Sequence, residues 1–380
     1  MIRIVADDKI PFLKGAFEEV AQIKYIPGAK ICRADLMEAD ALIIRTRTRC
    51  NSKLLDGTTV RFIATATIGY DHIDADYCNA REIEWTNAPG CNSSSVQQYL
   101  VSTLLYLTNH RNLSPEKLTL GVVGVGNVGR KVAAAAEILG MKVLLNDPPR
   151  QRREKDQSFV ELDHILKESD VVTLHVPLNR GGEDNTFEMV NDHFTAMMKQ
   201  GAVLINTSRG KVVHENSLLR SIENGKLSDV ILDVFPEEPS IEPGLLKAIT
   251  LGTPHIAGYS MDGKANGTTM SVQAASRFFN LGLDSWTPAS IPPPSVTELL
   301  ADAATGNLHE TLWEVYRQSY DVTTDDLDLR SRPGEFEKLR GDYPVRREPP
   351  AFSVRLFQGY EEIRVKLEQL GFSVLSDHCA

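Results

Sequence analysis

The sequence predicts an α/β protein with two doubly wound parallel sheets, followed by a small α+β domain. Three observations carry this prediction. The chain has 380 residues, which is more than one hydrophobic core usually holds. Short apolar runs alternate with helical segments up to about residue 285. Prolines then crowd residues 286–299, which indicates a stiff connection to a separate C-terminal segment.

The composition narrows the class of protein. A formal net charge of −10 argues against extended binding to nucleic acid or to an anionic membrane. The sequence shows neither a signal peptide nor an apolar run long enough to span a bilayer, so we expect a cytoplasmic protein. The five cysteines form no C-x-x-C pair, so neither a disulfide framework nor a metal site is expected.

The first ninety residues alternate strand and helix and predict a small parallel sheet of their own. Ligands gather beyond the carboxyl ends of parallel strands, and two of these ends carry suitable groups. Arg45 and Arg47 belong to the run 45–49, RTRTR, whose cations and hydroxyls suit an anion, although a solvated loop has the same composition. The small residues at 64–69 let a ligand lie against the backbone. The predicted elements are strands at Ile2–Val5, Ala41–Ile44, Val60–Ala64 and Ile83–Thr86 and a helix near Pro11–Val20.

Residues 118–149 form the most informative unit of the chain. An apolar strand at 120–123 leads into a G-x-G-x-x-G turn, a helix at about 127–139 and a second strand at 142–146. Glycines in such a turn allow a tight bend, the approach of a pyrophosphate and close packing of the helix, whose N-terminus favours phosphate. We therefore predict a dinucleotide site. Its predicted contacts in the turn are Gly124, Gly126, Asn127, Val128 and Gly129.

Asp147 ends the second strand of this unit, where an acidic side chain accepts hydrogen bonds from the adenosine ribose. Its charge would repel the additional 2′-phosphate of NADP. The sequence therefore predicts NAD as the cofactor.

Three residues at or beyond later strand ends suit the oxidation of a 2-hydroxy acid. His255 follows a short strand near 249–252 and can take the hydroxyl proton. Arg209 follows the strand at 203–206 and can hold the carboxylate. Glu238 follows the strand at 230–232, and a carboxylate beside the histidine would orient the ring. Taken singly, each residue is also consistent with an ordinary loop position, and the spacing does not show that they converge.

The ordered motifs G-x-G-x-x-G with Asp147, N-T-S-R-G, D-V-F-P-E-E-P and T-P-H-I-A-G resemble those of the NAD-dependent D-2-hydroxyacid dehydrogenase family. The resemblance implies that Arg209, Glu238 and His255 are catalytic. It also implies a flavodoxin-like lid domain that binds substrate and a Rossmann domain that binds NAD. The expected domains are 1–93 with 258–285 for the lid, 94–257 for NAD and 286–380 for dimerisation.

The match is closer to one member of that family, because the tail at 333–340, PGEFEKLR, and the run at 346–348 are similar to its sequence. That resemblance implies a homodimer and a small phosphorylated 2-hydroxy acid as substrate. Arg346 and Arg347 are candidates to reach the active site of the partner subunit and hold the substrate phosphate there, although the interpretation as a solvated loop is slightly favoured. The resemblance further implies substrate contacts at Thr46 and Thr67 and cofactor contacts at Asp147, Thr207, Asp233, Gly258 and Tyr259.

Two alternatives stay open at this point. The chain could be another member of the family, such as one that oxidises 3-phosphoglycerate, although the tail argues against this. The fold could also serve as an NAD-sensing protein without turnover. A pure sensor does not need a base, so the presence of His255 with Arg209 and Glu238 favours an enzyme.

Overall fold

The computed structural model describes residues 1–303, 307–357 and 361–375. Within these residues it contains fourteen strands: β1 Ile2–Asp7, β2 Ala21–Ile26, β3 Ala41–Ile44, β4 Phe62–Thr65, β5 Glu84–Thr86, β6 Thr119–Val123, β7 Lys142–Asn146, β8 Val171–Leu174, β9 Ala202–Asn206, β10 Leu227–Leu232, β11 Leu251–Gly252, β12 Glu298–Asp302, β13 Ser353–Phe357 and β14 Ser373–Leu375.

The same residues form fifteen α-helices: α1 Arg33–Leu36, α2 Ser52–Leu55, α3 Ala75–Ala80, α4 Ser93–His110, α5 Gly129–Leu139, α6 Pro148–Glu154, α7 Leu162–Glu168, α8 Asp192–Met197, α9 Glu215–Glu223, α10 Pro243–Ala248, α11 Met261–Phe279, α12 Leu308–Ser319, α13 Val322–Ser331, α14 Phe336–Gly341 and α15 Glu361–Gln369. Among the described residues, none of these helices is long and apolar enough to cross a membrane.

The chain divides into two compact units, of which unit 1 comprises Met1–Asn92 and Ser260–Pro292. Its sheet has five parallel strands in the order β2-β1-β3-β4-β5, which is the flavodoxin-like order. Helix α11 brings the returning chain onto this sheet, where Val272 and Ala275 share a buried cluster with Ile4 and Phe62. Helix α11 is therefore part of the core of unit 1.

Unit 2 comprises Ser93–Tyr259 and Pro293–Ala380. Its larger sheet has six parallel strands in the order β11-β10-β9-β8-β6-β7. An isolated parallel bridge joins Leu145 of β7 to Phe159, where a doubly wound nucleotide-binding sheet has its third strand. The strand order reverses at β6, so the end of β6 is the switch point at which such sheets bind ligands.

The C-terminal part of unit 2 forms a parallel three-stranded sheet in the order β12-β13-β14. Tyr316 of α12 and Phe352 share a buried cluster with Tyr99 of α4. The hydroxyl of Ser102 on α4 donates a hydrogen bond of 3.0 Å to the carbonyl of Tyr320. The C-terminal segment and the larger sheet are therefore packed into one core. The division into three domains stays a prediction.

The predicted α/β class with parallel sheets is confirmed, and β3 and β7 have their predicted bounds. The helix predicted at Pro11–Val20 is wrong, because this segment consists of turns. Phe12 and Gly15 have φ angles of 64° and 90°, which no α-helix accommodates. Leu13 and Phe17 are buried and produced the helical spacing.

The sequence interpretation also missed β2, β12 and α13. Strand β2 has a mixed burial pattern and is an edge strand paired with β1. Strand β12 begins within the segment 286–299 that the prolines marked as a connection, and α13 is mostly polar. Each lacked the apolar run by which the other elements were recognised.

Candidate active site

The turn after β6, residues 124–129, is called here the glycine loop. Gly124 has a φ angle of 88°, and a β-carbon placed on it would lie 2.7 Å from the carbonyl oxygen of His175. A β-carbon on Gly129 would overlap the carbonyl oxygen of Gly124. A β-carbon on Gly126 would meet no atom within 4 Å. The first and third glycines thus serve packing, whereas the second leaves room for a ligand against the backbone, as a pyrophosphate site requires.

Asp147 joins the glycine loop to the start of α6. Its Oδ2 accepts a hydrogen bond of 2.8 Å from the amide of Val125, and its Oδ1 accepts one of 3.0 Å from the amide of Arg150. The guanidinium of Arg150 forms an ion pair with Glu154 at 2.7 Å. The carboxyl group of Asp147 therefore lies beside the glycine loop, where a ribose rather than an additional phosphate is favoured.

The remaining predicted residues of the glycine loop are positioned at the start of α5. The amide oxygen of Asn127 accepts a hydrogen bond of 3.0 Å from Arg130. Val128 occupies the N-cap position of α5 and its side chain makes no capping hydrogen bond, so the N-terminus of α5 has no side-chain cap that would block an anion. This is the arrangement that anion binding at a helix N-terminus requires.

Glu238 and His255 form a hydrogen-bonded pair, 2.8 Å from Oε2 to Nδ1. The other carboxylate oxygen of Glu238 accepts a hydrogen bond of 2.8 Å from the amide of Phe235. Burial raises the pKa of Glu238, but the hydrogen bond to His255 and the amide of Phe235 lower it, and the net pKa lies below the ordinary value. The ionised carboxylate fixes the proton of the neutral imidazole on Nδ1, so Nε2 is the basic nitrogen.

Arg209 lies on the loop after β9, next to the loop that carries Glu238. A β-carbon placed on Gly210 would overlap the carbonyl oxygen of Phe235, so only glycine permits this approach. The guanidinium of Arg209 donates a hydrogen bond of 2.8 Å to the carbonyl of Ser208. The side chain is partly exposed, which leaves a cation at the strand ends. Arg209, Glu238 and His255 thus all lie at the carboxyl edge of the larger sheet.

Asp233 is buried beneath the segment 253–259, which is called here the histidine loop. Its carboxylate accepts hydrogen bonds from Thr253 Oγ1 at 2.7 Å, from the amide of Ile256 at 2.7 Å and from the amide of Ala257 at 3.0 Å. Burial raises the pKa of Asp233, although these donors oppose the shift. The structure therefore assigns Asp233 a role in holding the histidine loop, whereas the predicted cofactor contact stays a prediction.

His175 was missed by the sequence interpretation. Its Nδ1 lies 3.5 Å from Oγ1 of Thr207, a predicted cofactor contact, and its Nε2 lies 3.1 Å from Oγ1 of Thr173. Burial lowers the pKa of His175 to about 3, so this histidine stays neutral at ordinary pH. Its position after β8, at the edge where ligands bind, was the available signal.

Unit 1 carries its own group of predicted ligands at the ends of β3 and β4. Thr46 and Arg47 are exposed after β3. Arg45 Nη1 donates a hydrogen bond of 2.9 Å to the carbonyl of Lys9. Thr67 Oγ1 donates one of 3.0 Å to the carbonyl of Gly69. These residues follow adjacent strands, so the structure brings their backbones to one edge of the sheet.

Lys264, in the first turn of α11, is a further cation that the sequence interpretation did not assign to the site. Burial and the positive charge of Arg45 lower the pKa of Lys264 to about 8. Two cations whose charges act on each other favour an anion as ligand. The signal in the sequence was weak, because Lys264 lies 219 positions from Arg45.

Arg346 and Arg347 differ in their surroundings. Arg346 is 5% exposed, and its guanidinium donates hydrogen bonds within unit 2 and lies over the ring of Tyr320 at 3.7 Å. This burial argues against the predicted contact of Arg346 with a substrate phosphate. Arg347 is partly exposed, and its carbonyl accepts a hydrogen bond of 3.1 Å from Gln98. Its role in phosphate binding stays a prediction.

Arg340 was also missed, although it contacts a predicted cofactor residue. Its Nη2 donates a hydrogen bond of 3.0 Å to the hydroxyl of Tyr259, and Nη1 donates one of 3.1 Å to Glu337. Tyr259 and the adjacent Gly258 close the histidine loop, so a residue of the C-terminal segment lies at its end. Nothing in the spacing of Arg340 from Tyr259 predicted this contact.

Comparisons with known proteins identify the family and the fold. Residues 104–257 match the family model of the D-isomer specific 2-hydroxyacid dehydrogenase NAD binding domain, and residues 290–371 match a domain of unknown function, DUF3410. The structure is similar to a D-lactate dehydrogenase from Aquifex aeolicus complexed with NAD and lactic acid, with a TM-score of 0.59 and 29% identity over 74% of this chain and 96% of that one. A 3-phosphoglycerate dehydrogenase of Entamoeba histolytica, 22% identical over 77% of this chain and 99% of that one, shares the fold with a TM-score of 0.63.

The chain belongs to the NAD-dependent D-2-hydroxyacid dehydrogenase family, as the sequence predicted. Within this family, a protein of Bacteroides thetaiotaomicron is 47% identical over 93% of this chain and 99% of its own length. A protein of Cronobacter sakazakii is 38% identical over 98% of each chain. Both carry the name erythronate-4-phosphate dehydrogenase.

Proposed function

We propose that this protein oxidises 4-phospho-D-erythronate at C2 to (R)-3-hydroxy-2-oxo-4-phosphooxybutanoate, with NAD as the hydride acceptor, in the synthesis of pyridoxal 5′-phosphate. The observation that carries the proposal is the pair of Glu238 and His255 at the edge of a sheet whose glycine loop suits a dinucleotide. Relatives with the corresponding name match nearly the full chain, including the C-terminal segment.

The side chains fit each step of this reaction. Nε2 of His255 takes the proton of the C2 hydroxyl, and the carboxylate of Glu238 stabilises the imidazolium that forms. Arg209 holds the substrate carboxylate through paired donors and thereby fixes C2. NAD, when bound, accepts the hydride that leaves C2. The products are the 2-oxo acid, NADH and one proton, so atoms and electrons balance.

The residues of unit 1 supply the specificity in this proposal. Arg45 and Arg47 hold the substrate phosphate together with Lys264, and Thr46 and Thr67 donate hydrogen bonds from their hydroxyls. The positive charge of Arg45 acts on Lys264 and lowers its pKa, and two neighbouring cations suit the binding of a phosphate. Arg347 is a further candidate for the phosphate.

The cofactor contacts in this proposal come from residues of unit 2. The glycine loop binds the pyrophosphate through backbone amides, and Asp147 accepts hydrogen bonds from the adenosine ribose. Thr207, Asp233, Gly258 and Tyr259 complete the NAD site in this proposal. The protein acts in the cytoplasm as a homodimer, and the C-terminal segment provides the dimer interface.

Substrate comparison tests this function. Purified protein is given NAD and either 4-phosphoerythronate or 3-phosphoglycerate, with and without an added 2-oxo acid acceptor, and NADH is followed by absorbance. We expect kcat/KM for 4-phosphoerythronate to exceed that for 3-phosphoglycerate by at least about 100-fold. A preference for 3-phosphoglycerate would replace the proposed substrate. Turnover of neither acid, despite NAD binding, would favour the NAD-sensing alternative.

A further inference from the structure

The histidine loop has an unusual backbone at its functional residue. His255 has a φ angle of 56°, in the left-handed region that side-chain-bearing residues rarely adopt. Its amide donates hydrogen bonds to the carbonyls of Asp233 at 2.8 Å and of Thr253 at 2.9 Å. Such a conformation persists only where the surroundings determine it. The contacts around the loop therefore decide where the imidazole lies.

One side of the loop is fixed by Asp233, whose carboxylate accepts hydrogen bonds from the amides of Ile256 and Ala257. The carbonyls of the same two residues face the C-terminal segment. Nη1 of Arg346 lies 3.3 Å from each of them and donates to both. Arg346 also donates to Gln98 Oε1 at 3.0 Å and to the carbonyl of Ser95 at 2.6 Å. A buried arginine thus links the histidine loop to α4.

The contacts continue on the N-terminal side of the loop. Oδ1 of Asp326 accepts a hydrogen bond of 2.7 Å from the amide of Gly252 in the edge strand β11. Arg330, which pairs with Asp326 at 2.8 Å, donates to the carbonyls of Leu246 at 2.7 Å and Ile249 at 3.0 Å. Helix α13 therefore fixes the strand that leads into the loop.

The contacts also cover the C-terminal end of the loop, because Arg340 donates to the hydroxyl of Tyr259. Phe336, one turn earlier in α14, packs edge-on against Phe235 with ring centroids 6.4 Å apart. Phe235 in turn donates its amide to Glu238, the partner of His255. The C-terminal segment thus contacts the residues that hold His255 and the residue that holds Glu238.

We propose that the C-terminal segment, whose family model has no assigned function, positions the catalytic histidine within its own chain. The positioning residues are Asp326, Arg330, Arg340 and Arg346, called here the C-terminal clasp. They hold the backbone from Leu246 to Tyr259, in which His255 lies, without touching substrate. This inference rests on the proposed function, because it treats His255 as the base. It is independent of any role of the segment in dimerisation.

The test compares Arg346→Lys with a matched control, Arg111→Lys. Arg111 also pairs with a carboxylate, Asp229 at 2.7 Å, and donates to the carbonyl of Ser228 at 3.1 Å. These contacts lie at the start of β10, away from the strand end that carries the catalytic loops. Lysine keeps the positive charge at either position. It lacks the planar guanidinium, so it cannot donate to several acceptors in the fixed geometry of arginine.

We expect Arg346→Lys to lower kcat by about 100-fold, because a displacement of about 1 Å at a catalytic group has an effect of that size. The KM for the hydroxy acid stays within about twofold of the wild type. In hydrogen exchange, peptides from residues 253–259 lose protection, whereas peptides from β6 do not. Arg111→Lys leaves kcat within about twofold of the wild type.

A second variant keeps the inference testable if Arg346→Lys does not fold. Arg340 has a partly exposed side chain, so Arg340→Lys is compatible with folding, and we expect a smaller fall in kcat, about tenfold, with faster exchange in 253–259. If the folded variants keep the kcat and the hydrogen exchange of the wild type, the proposed positioning role of the C-terminal clasp is wrong. A fall in kcat with equal loss of protection in β6 would also overturn it, because it indicates general destabilisation. An inactive wild-type protein would instead contradict the proposed function.

Discussion

The glycine loop and the histidine loop lie at the carboxyl ends of strands in the same parallel sheet, but different parts of the chain hold them. The glycine loop is fixed by its own residues and by Asp147, which directly follows the next strand along the chain. The histidine loop is fixed by Asp233 and by Arg346, which lies about ninety positions further along the chain. Local sequence therefore determines the shape of one loop, whereas long-range contacts determine the shape of the other.

The largest expected effect separates the chemistry of the histidine loop from binding at the glycine loop. His255→Asn should lower kcat by about 1,000-fold, because general base catalysis contributes on this order. NAD binding, measured by fluorescence titration of NADH, should stay near the wild-type value. If NADH binding is lost together with kcat, the roles of the two loops in chemistry and in cofactor binding are not independent.

The glycine loop offers a matched pair of substitutions. Gly129→Ala should destabilise the fold by about 1–3 kcal/mol, because its β-carbon meets the backbone of Gly124. Gly126→Ala faces open space, so stability should change by less than about 0.5 kcal/mol while NAD affinity falls at least about tenfold. Denaturant unfolding and NADH titration check both. An equal effect of the two changes on stability would contradict the assigned roles.

A smaller effect concerns the choice of cofactor at the strand that supports the glycine loop. Asp147→Ala should weaken NAD binding by about tenfold and leave NADP binding unchanged or improved, because the carboxylate repels the 2′-phosphate. The ratio of kcat/KM for the two cofactors measures this. A ratio unchanged from the wild type would remove Asp147 from the ribose site.

The smallest effect extends the comparison to unit 1. The pKa of Lys264 is lowered to about 8, so its charge is present below pH 8 and is lost as the pH rises through that value. We expect kcat/KM for the phosphorylated substrate to fall several-fold from pH 7 to pH 9. Lys264→Arg, which keeps its charge, should remove this fall. A pH profile unaffected by the change would place Lys264 outside the phosphate site.

The same contrast explains what the sequence predicted. The strands at Ala41–Ile44 and Lys142–Asn146 were predicted because short apolar runs are typical of parallel strands, although only the first of the two is fully buried. The turns at Pro11–Val20 were mistaken for a helix because buried Leu13 and Phe17 have helical spacing. The resemblance to a family identified His255 and Glu238, and the structure added their hydrogen bond.

Arg340 and Asp326 were missed because each acts through a contact distant in the sequence. Arg340 meets Tyr259 across 81 positions, and Asp326 meets Gly252 across 74. Arg346 was predicted as a phosphate ligand because an arginine pair suggests an exposed anion site, and its burial depends on tertiary packing that no local pattern encodes. Contacts of this kind are specified by the folded core.

The central claim, that C2 of a phosphorylated hydroxy acid gives its hydride to NAD, is tested most directly with 4-phosphoerythronate carrying deuterium at C2. The products are separated after a single turnover, and the nicotinamide is analysed by mass spectrometry. A parallel reaction contains an added 2-oxo acid. We expect one deuterium at C4 of the reduced nicotinamide in the wild type and none with His255→Asn. Deuterium that stays in the acid, or exchanges into water without reduction of NAD, would contradict the account.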